Sequence, residues 1–72
     1  MFQSGWTLDV LQVVQSLGKI EFTLNDVYAH AGTLAELHPK NAHVRDKIRQ
    51  QLQVLRDLNL LEFLGLGSYR LC

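Results

Sequence analysis

Residues 41–58, which read NAHVRDKIRQQLQVLRDL, contain the pattern that decides the fold. Asn41 is suited to be a helix N-cap, because an Asn side chain can accept hydrogen bonds from the free amides of a first helical turn. Asn59 can adopt the left-handed conformation that ends a helix. Between them, apolar residues recur every three or four positions, as one face of an α-helix requires: Val44, Ile48, Leu52, Leu55 and Leu58. The stretch predicts an amphipathic helix over 42–58.

Two shorter helices are predicted ahead of this one, which is therefore the third. Thr7 as an N-cap predicts a first helix over 8–17. Thr23 and Asp26 have the spacing of a capping box, which predicts that the second helix begins there. Gly32 interrupts the second helical pattern and predicts either a weakened helix or two short ones.

Short strands complete the fold class. Residues 20–22 alternate apolar and polar, and residues 61–64 and 68–71 flank a glycine-rich turn, which predicts a β-hairpin. The chain of 72 residues has room for one core, so residues 1–72 are predicted to be a single domain. The element order predicts an α+β, mostly α, winged helix-turn-helix with the hairpin as its wing. Four aromatic residues are expected in the core: Trp6, Phe22, Tyr28 and Phe63.

The formal net charge is zero, but the charges are unevenly distributed. Residues 1–37 carry one lysine and four carboxylates, whereas residues 38–50 carry four cations and one aspartate. A locally basic segment can attract an anion even when the total charge is neutral. The beginning of the third helix is therefore a candidate surface for nucleic acid.

The outward face of the third helix carries residue types that can read DNA. A helix about 10–12 Å across fits the major groove, where Gln can pair with adenine and Arg with guanine. The candidate base contacts from the residues alone are Arg49, Gln50 and Gln53. The candidate phosphate contacts are Lys40, Arg45, Lys47 and Arg56, with Arg70 from the wing. The alternative is an ordinary solvated helix face, because the same residue types are good helix formers.

Catalysis and metal binding by this chain are not expected. The three histidines lack the spacing of a zinc site, and there is one cysteine, Cys72. No lysine has a carboxylate two positions earlier, and no serine lies in a nucleophile elbow. Neither a membrane span nor a signal peptide is predicted, and the single cysteine favours a reducing cytoplasm.

Several strings of the chain resemble the C-terminal domain of DpnI-like, methyl-directed restriction endonucleases and the related Dam-replacing proteins. The resemblance extends over residues 5–71, and the string at 47–53 is its most specific part. The strings are Gly5-Trp6-Thr7, Glu21-Phe22-Thr23-Leu24, Lys47-Ile48-Arg49-Gln50-Gln51-Leu52-Gln53, Leu55-Arg56-Asp57, Glu62-Phe63 and Tyr69-Arg70.

The resemblance implies a bacterial, cytoplasmic DNA-binding module that follows a PD-(D/E)XK nuclease domain. In that family the module helps to recognise GATC sites with N6-methylated adenine, and the magnesium and catalytic carboxylates belong to the nuclease domain. The implied module is a monomer that is not an enzyme by itself and holds no cofactor. Asn41 and His43 match a similar approach to the recognition helix, and Asn41 is added to the phosphate contacts and His43 to the base contacts. Ala42, expected beside Gln50, is a candidate to accept the adenine methyl group.

The wing departs from the family's pattern, because Leu66 stands where relatives usually have a basic residue. That departure predicts weaker and less salt-sensitive binding than in relatives. Two alternatives to the restriction-enzyme module stay open at this stage. One is a winged helix that binds protein, which the neutral charge and Leu66 favour, and the other is a free-standing transcriptional regulator.

Overall fold

The computed structural model describes residues 5–72, which form four helices and three strands. In chain order these are α1 (Gly5–Ser16), β1 (Glu21–Thr23), α2 (Leu24–Tyr28), α3 (Ala31–Leu37), α4 (Val44–Asp57), β2 (Leu61–Gly65) and β3 (Ser68–Leu71). The second predicted helix is the pair α2 and α3, and the third is α4. The order of helices, strand and hairpin is that of a winged helix-turn-helix, so the predicted fold class is confirmed.

The three strands form an antiparallel sheet in the order β1-β3-β2. β2 and β3 are the arms of the predicted hairpin, with Leu66 and Gly67 as the turn between them. β1 pairs with the second arm and sets Phe22 opposite Tyr69. Tyr69 lies opposite Phe63 on its other side. One aromatic residue of each strand therefore belongs to the same row, and β1 attaches the wing to the helical part.

The core lies where α1 and the sheet pack against α4. Complete burial of a valine, leucine or isoleucine side chain stabilises a fold by about 1.5–3 kcal/mol relative to exposure. The apolar side of α4 is thereby fixed against the rest of the protein, although Leu58 is exposed and the stripe ends one turn earlier than predicted. The fully buried apolar side chains are Val10, Val14, Val27, Leu34, Ile48, Leu52 and Leu55.

One buried polar pair connects the first and last helices. The Thr7 hydroxyl donates a hydrogen bond to the side-chain carbonyl oxygen of Gln51, and both residues are buried. The prediction that Thr7 is an N-cap is wrong, because α1 begins at Gly5 and Thr7 is inside its first turn. The hydroxyl is used between helices rather than at a helix end.

The loop before α4 also differs from the prediction. The helix begins at Val44, and the residue at the N-cap position is His43, whose side chain makes no capping hydrogen bond. Asn41 instead accepts a hydrogen bond from the backbone N–H of His43 at 2.8 Å, so it shapes the turn that precedes the helix. The expectation that Asn41 caps the helix is wrong, because its side chain accepts from the N–H of His43, the N-cap residue, and not from an N–H of the first helical turn.

The start of the second helical segment is as predicted. The Thr23 hydroxyl accepts a hydrogen bond from the Asp26 N–H at 3.2 Å, and the Asp26 carboxylate accepts one from the Thr23 N–H at 2.8 Å. Both bonds of the capping box are therefore present. The segment forms two short helices, but it breaks at Ala29 and His30, and Gly32 lies inside α3.

The ends of the last elements mostly follow the sequence. Asn59 has φ 64°, the left-handed conformation predicted to end α4.

Of the four aromatic residues assigned to the core, Trp6 and Phe22 are buried and Tyr28 is half-buried. Phe63 is 47% exposed, so its assignment is wrong. Its ring leans on Tyr69 at 5.6 Å between centroids, near the end of the wing.

Candidate nucleic-acid interface

The core contacts of α4 determine which of its side chains face solvent. Ile48, Leu52 and Leu55 are completely buried, so the opposite side of the helix points away from the protein. That side bears the three residues predicted to contact bases, which are all exposed: Arg49, Gln50 and Gln53. The Gln53 amide donates a hydrogen bond to Asp57 at 3.2 Å one turn later.

A shallow depression lies between this face and the wing. Its lining combines Asp46, Arg49, Gln50 and Gln53 of α4 with Tyr69 of β3. Neither Tyr69 nor Asp46 is among the site residues predicted from the sequence. Asp46 could have been found from its position on the outward face, whereas Tyr69 becomes a neighbour of α4 only through the strand order.

Tyr69 is the middle ring of the aromatic row across the sheet. Its ring is stacked on that of Phe22 with centroids 5.6 Å apart and an interplanar angle of 14°. Phe63 packs on it from the other side at 60°. The row runs from the buried core to solvent, so it presents an apolar, half-buried surface beside the polar face of α4.

A second depression lies at the N-terminal end of α4. It is lined by Asn41, His43, Asp46, Lys47 and Gln50. His43 thus reaches the same surface as Gln50, although it precedes the helix. The polar surface therefore continues from the helix into the loop before it.

Ala42 lies elsewhere. It precedes α4 and lines the groove between α3 and α4, together with Ala31, Gly32 and Ala35. The helical projection that set Ala42 beside Gln50 is wrong, because the helix begins two residues after Ala42. The residues around Gln50 are those of the two depressions described above.

Two predicted phosphate contacts lie at the start of α4, and one of them has a partner within the protein. The Arg45 guanidinium lies over the Tyr28 ring, 5.1 Å from its centroid, so a cation–π contact holds it on the α2 side. Lys40 is exposed in the turn before α4, at a depression that also includes Trp6 and His38. Both cations lie toward the N-terminal end of α4.

That turn is attached to α1 by a cluster of side chains. The His38 ring stacks on the Trp6 indole with centroids 4.1 Å apart. Its Nε2 donates to the Asp9 carboxylate at 2.7 Å. The contacts fix the loop that carries Lys40 and Asn41 relative to the first helix.

The remaining two predicted phosphate contacts lie away from this end. Arg56 is exposed in the last turn of α4, where its charge complements the helix dipole. The Arg70 guanidinium forms an ion pair with the Glu62 carboxylate across the hairpin at 3.1 Å. On its other side, β3 pairs with β1 and sets Glu21 opposite Arg70. The surroundings of Arg70 are thus acidic, and its guanidinium has a protein partner.

The tip of the wing is apolar and strained. Leu66 is fully exposed and has φ 47°, and Gly67 after it has φ 76°. A two-residue hairpin turn with both φ values positive has the pattern of a type I′ turn, which favours Asn, Asp or Gly at its first position. A left-handed conformation costs a residue with a side chain roughly 1–2 kcal/mol.

The base of that tip is fixed to the start of α2. The backbone N–H of Leu24 donates to the carbonyl oxygen of Gly67 at 2.8 Å. In the capping box beside it, the hydrogen bond from the Thr23 N–H and the ammonium of Lys19 at 3.0 Å hold the pKa of Asp26 below its ordinary value. A charged capping box and the wing therefore meet at one place.

Two features are absent from the described part of the chain, a metal-ligand cluster and a membrane-spanning helix. Among residues 5–72, no three His, Cys, Asp or Glu side chains come close enough together to hold a metal ion. Between Gly5 and Cys72, no helix is long and apolar enough to cross a membrane.

The fold and the outward face of α4 define a winged helix-turn-helix of the kind that binds DNA. A comparison with protein families identifies it further: the model of the Dam-replacing HTH domain, DpnI_C, matches residues 2–71. The chain belongs to this family of DNA-binding helix-turn-helix domains. The match includes all of residues 5–71, over which the resemblance was noted in the sequence, so that resemblance is confirmed.

Proposed function

We propose that this domain reads GATC sites whose adenine is N6-methylated, by placing α4 in the major groove. The observation that carries the proposal is the outward face of α4. It presents a guanidinium, a carboxylate and amide groups on a helix whose other side is locked in the core. Membership in the Dam-replacing family supports DNA as the partner.

The chemistry of this face suits the bases of GATC. Arg49 can donate two hydrogen bonds to guanine, and Gln50 or Gln53 can pair with adenine. Asp46 can accept a hydrogen bond from the amino group of cytosine. A carboxylate would repel phosphates, so its place among the exposed residues of α4 favours a base contact over a backbone contact.

The phosphate contacts in this proposal surround the start of α4. Lys40, Arg45 and Lys47, with Asn41 beside them, lie in the turn and first helical turns. These cations would position the helix without reading sequence. Arg56 and Arg70 are less important to the proposal, because one lies at the far end of α4 and the other is paired with Glu62.

The methyl group needs an apolar neighbour beside the adenine contact. Tyr69 supplies one, because its ring shares a depression with Gln50 and Gln53. Ala42, the residue first considered for this role, lines the groove between α3 and α4 instead. We therefore assign the methyl contact to Tyr69 in the proposal.

Fluorescence anisotropy with short duplexes tests this assignment. Methylated GATC should bind more tightly than unmethylated GATC, and both more tightly than a scrambled site. The double variant Arg49→Ala/Gln50→Ala should lose about 1–3 kcal/mol of discrimination per contact. The matched control is Gln12→Ala/Gln15→Ala, which removes two exposed side chains from α1 and should leave the discrimination unchanged.

Each outcome decides a separate part of the proposal. Retained preference in the α4 double variant rejects the base contacts, and equal affinity for methylated and unmethylated GATC rejects methyl reading. Absence of DNA binding at low salt, together with self-association in gel filtration, would favour a protein-binding winged helix.

We further propose that the domain is a monomeric, C-terminal part of a methyl-directed restriction endonuclease. The nuclease domain of that parent would carry the magnesium and the catalytic carboxylates, and this module would hold the site. The coding sequence ahead of the codon for Met1 tests the idea. A PD-(D/E)XK nuclease encoded there in the same frame supports it, and an unrelated upstream sequence contradicts it.

A further inference from the structure

The turn of the wing combines three properties that local stability does not explain. Leu66 is fully exposed, so its side chain makes no contribution to the core. It occupies the left-handed region at φ 47°, where Asn or Gly would be less strained. No charged residue lies between Phe63 and Tyr69, so the tip has no charged side chain that could pair with a phosphate.

The tip is also held in a fixed position. Gly67 accepts a hydrogen bond from the Leu24 N–H at 2.8 Å, and Ser68 pairs with Thr23 of β1. A Cβ added to Gly67 would lie 3.8 Å from that of Leu24, which shows how close the two backbones are. Leu66 is therefore presented from an anchored turn.

The number of residues between Leu66 and Tyr69 limits how far the tip can lie from the α4 surface. Tyr69 lines the depression beside Arg49 and Gln53, and Leu66 is three residues before it. Three residues span at most about 11 Å, so the backbone of Leu66 lies within that distance of the backbone of Tyr69. DNA whose major groove holds α4 would bring the neighbouring groove to the wing.

We propose that Leu66 is a wedge that enters the minor groove beside the recognition site and partly separates one base step. The inference rests on the proposed function, because it requires α4 to lie in the adjacent major groove. Apolar side chains inserted in this way unstack a step and kink the duplex by about 20–90°. DNA is favoured over a protein as the occupant because the strand that follows the tip carries Tyr69, which lines the depression on the α4 surface.

The experiment uses a set of methylated GATC duplexes, each with one 2-aminopurine. The position of the probe differs between duplexes, so that the set covers every base step within half a helical turn of the site. The probe becomes brighter when it is unstacked. Binding of the wild-type protein should brighten it at one flanking step. End-to-end energy transfer on the same duplex should report a bend of about 20–90°.

The decisive variant is Leu66→Asn, because it separates folding from DNA deformation. Its melting temperature should rise, since Asn adopts a positive φ more easily than Leu. Its anisotropy should still report a preference for GATC, whereas the 2-aminopurine signal and the bend should be lost. The control is Leu58→Asn, the same change at an exposed leucine at the C-terminal end of α4, which should leave the signal intact.

The outcomes distinguish this inference from the function on which it rests. GATC binding without a 2-aminopurine change at any flanking step overturns the wedge and leaves the proposed function standing. A signal that persists in Leu66→Asn also overturns it. Failure of the wild-type protein to bind any duplex rejects the proposed function itself.

Discussion

The outward face of α4 and the tip of the wing lie on neighbouring parts of the surface but are built differently. α4 presents polar and charged side chains from a regular helix, and its other side packs in the core. The wing presents one leucine from a turn in which Leu66 and Gly67 both have positive φ. The helix needs no strain to expose its side chains, whereas the wing tip does.

This difference shows where local structure and proposed function agree and where they conflict. On α4, Arg and Gln are good helix formers, so the residues that would read bases also favour the helix. At Leu66, a residue that suits the turn poorly is kept in a position that contributes nothing to the core. Strain of this kind is a reason to look for a function at the wing.

The largest expected effect comes from the side of α4 that is hidden from DNA. Leu52→Ala should lower the free energy of unfolding by about 2–5 kcal/mol, because a fully buried leucine leaves a cavity. In a domain of this size most of the stability would be lost. Urea denaturation followed by circular dichroism measures the change.

The adjacent residue supplies the control for that variant. Gln53→Ala changes an exposed side chain and should stay within about 0.5 kcal/mol of the wild type. A similar loss in both variants would contradict the division of α4 into a structural and an exposed side.

The next effect concerns the polar pair that joins α1 to α4. Thr7→Val should destabilise the protein by about 1–3 kcal/mol, because the buried Gln51 carbonyl loses its donor. The double variant Thr7→Val/Gln51→Leu should be nearly as stable as the wild type, since neither group is then left unpaired. Thermal melts of the single and double variants test this, and additive losses would contradict it.

The sequence predicted the elements better than it predicted their first residues. Apolar periodicity located α4, and the capping box at Thr23 gave the start of α2 directly, because both signals are local. Thr7 and Asn41 were wrongly assigned as caps because each has the right chemistry for two uses. Thr7 is used across 44 residues to Gln51, and such a pairing depends on tertiary packing.

The candidate site was predictable only where one helix supplies it. The exposure of Arg49 and Gln50 follows from the position of the leucines, so the helical projection placed both correctly. Tyr69 joins them through the strand order β1-β3-β2, which the local pattern does not contain. Arg70 follows Tyr69 in β3, so its side chain points to the opposite face of the sheet, where it pairs with Glu62.

The salt dependence of DNA affinity tests whether the wing tip, like the start of α4, lies against the DNA backbone. Leu66→Lys should add one phosphate contact and steepen the slope of log affinity against log salt by about 0.9. Anisotropy titrations between low and physiological salt measure the slope. Leu58→Lys, at the far end of α4, should leave it unchanged. Equal slopes for wild type and Leu66→Lys would place the wing away from the DNA backbone.

The smallest expected effect depends on pH and concerns the anchor of the wing. The Thr23 N–H and the Lys19 ammonium lower the pKa of Asp26 in the folded protein. A carboxyl whose folded pKa is lowered adds stability above its ordinary pKa of about 3.9. That contribution is lost as the pH falls through the lower, folded-state value.

Asp26→Asn separates this titration from the hydrogen bond itself. The amide oxygen can still accept from the Thr23 N–H, but it carries no charge for Lys19 and does not titrate. The variant should melt below the wild type at pH 6, and the difference should shrink as the pH falls below about 3.9. A difference that stays constant down to pH 2 would mean that the carboxylate's charge does not stabilise the capping box. The wing is attached to Leu24, the residue after Thr23, by the hydrogen bond from the Leu24 N–H to the Gly67 carbonyl oxygen. Its attachment would then depend on that hydrogen bond and not on the charge of Asp26.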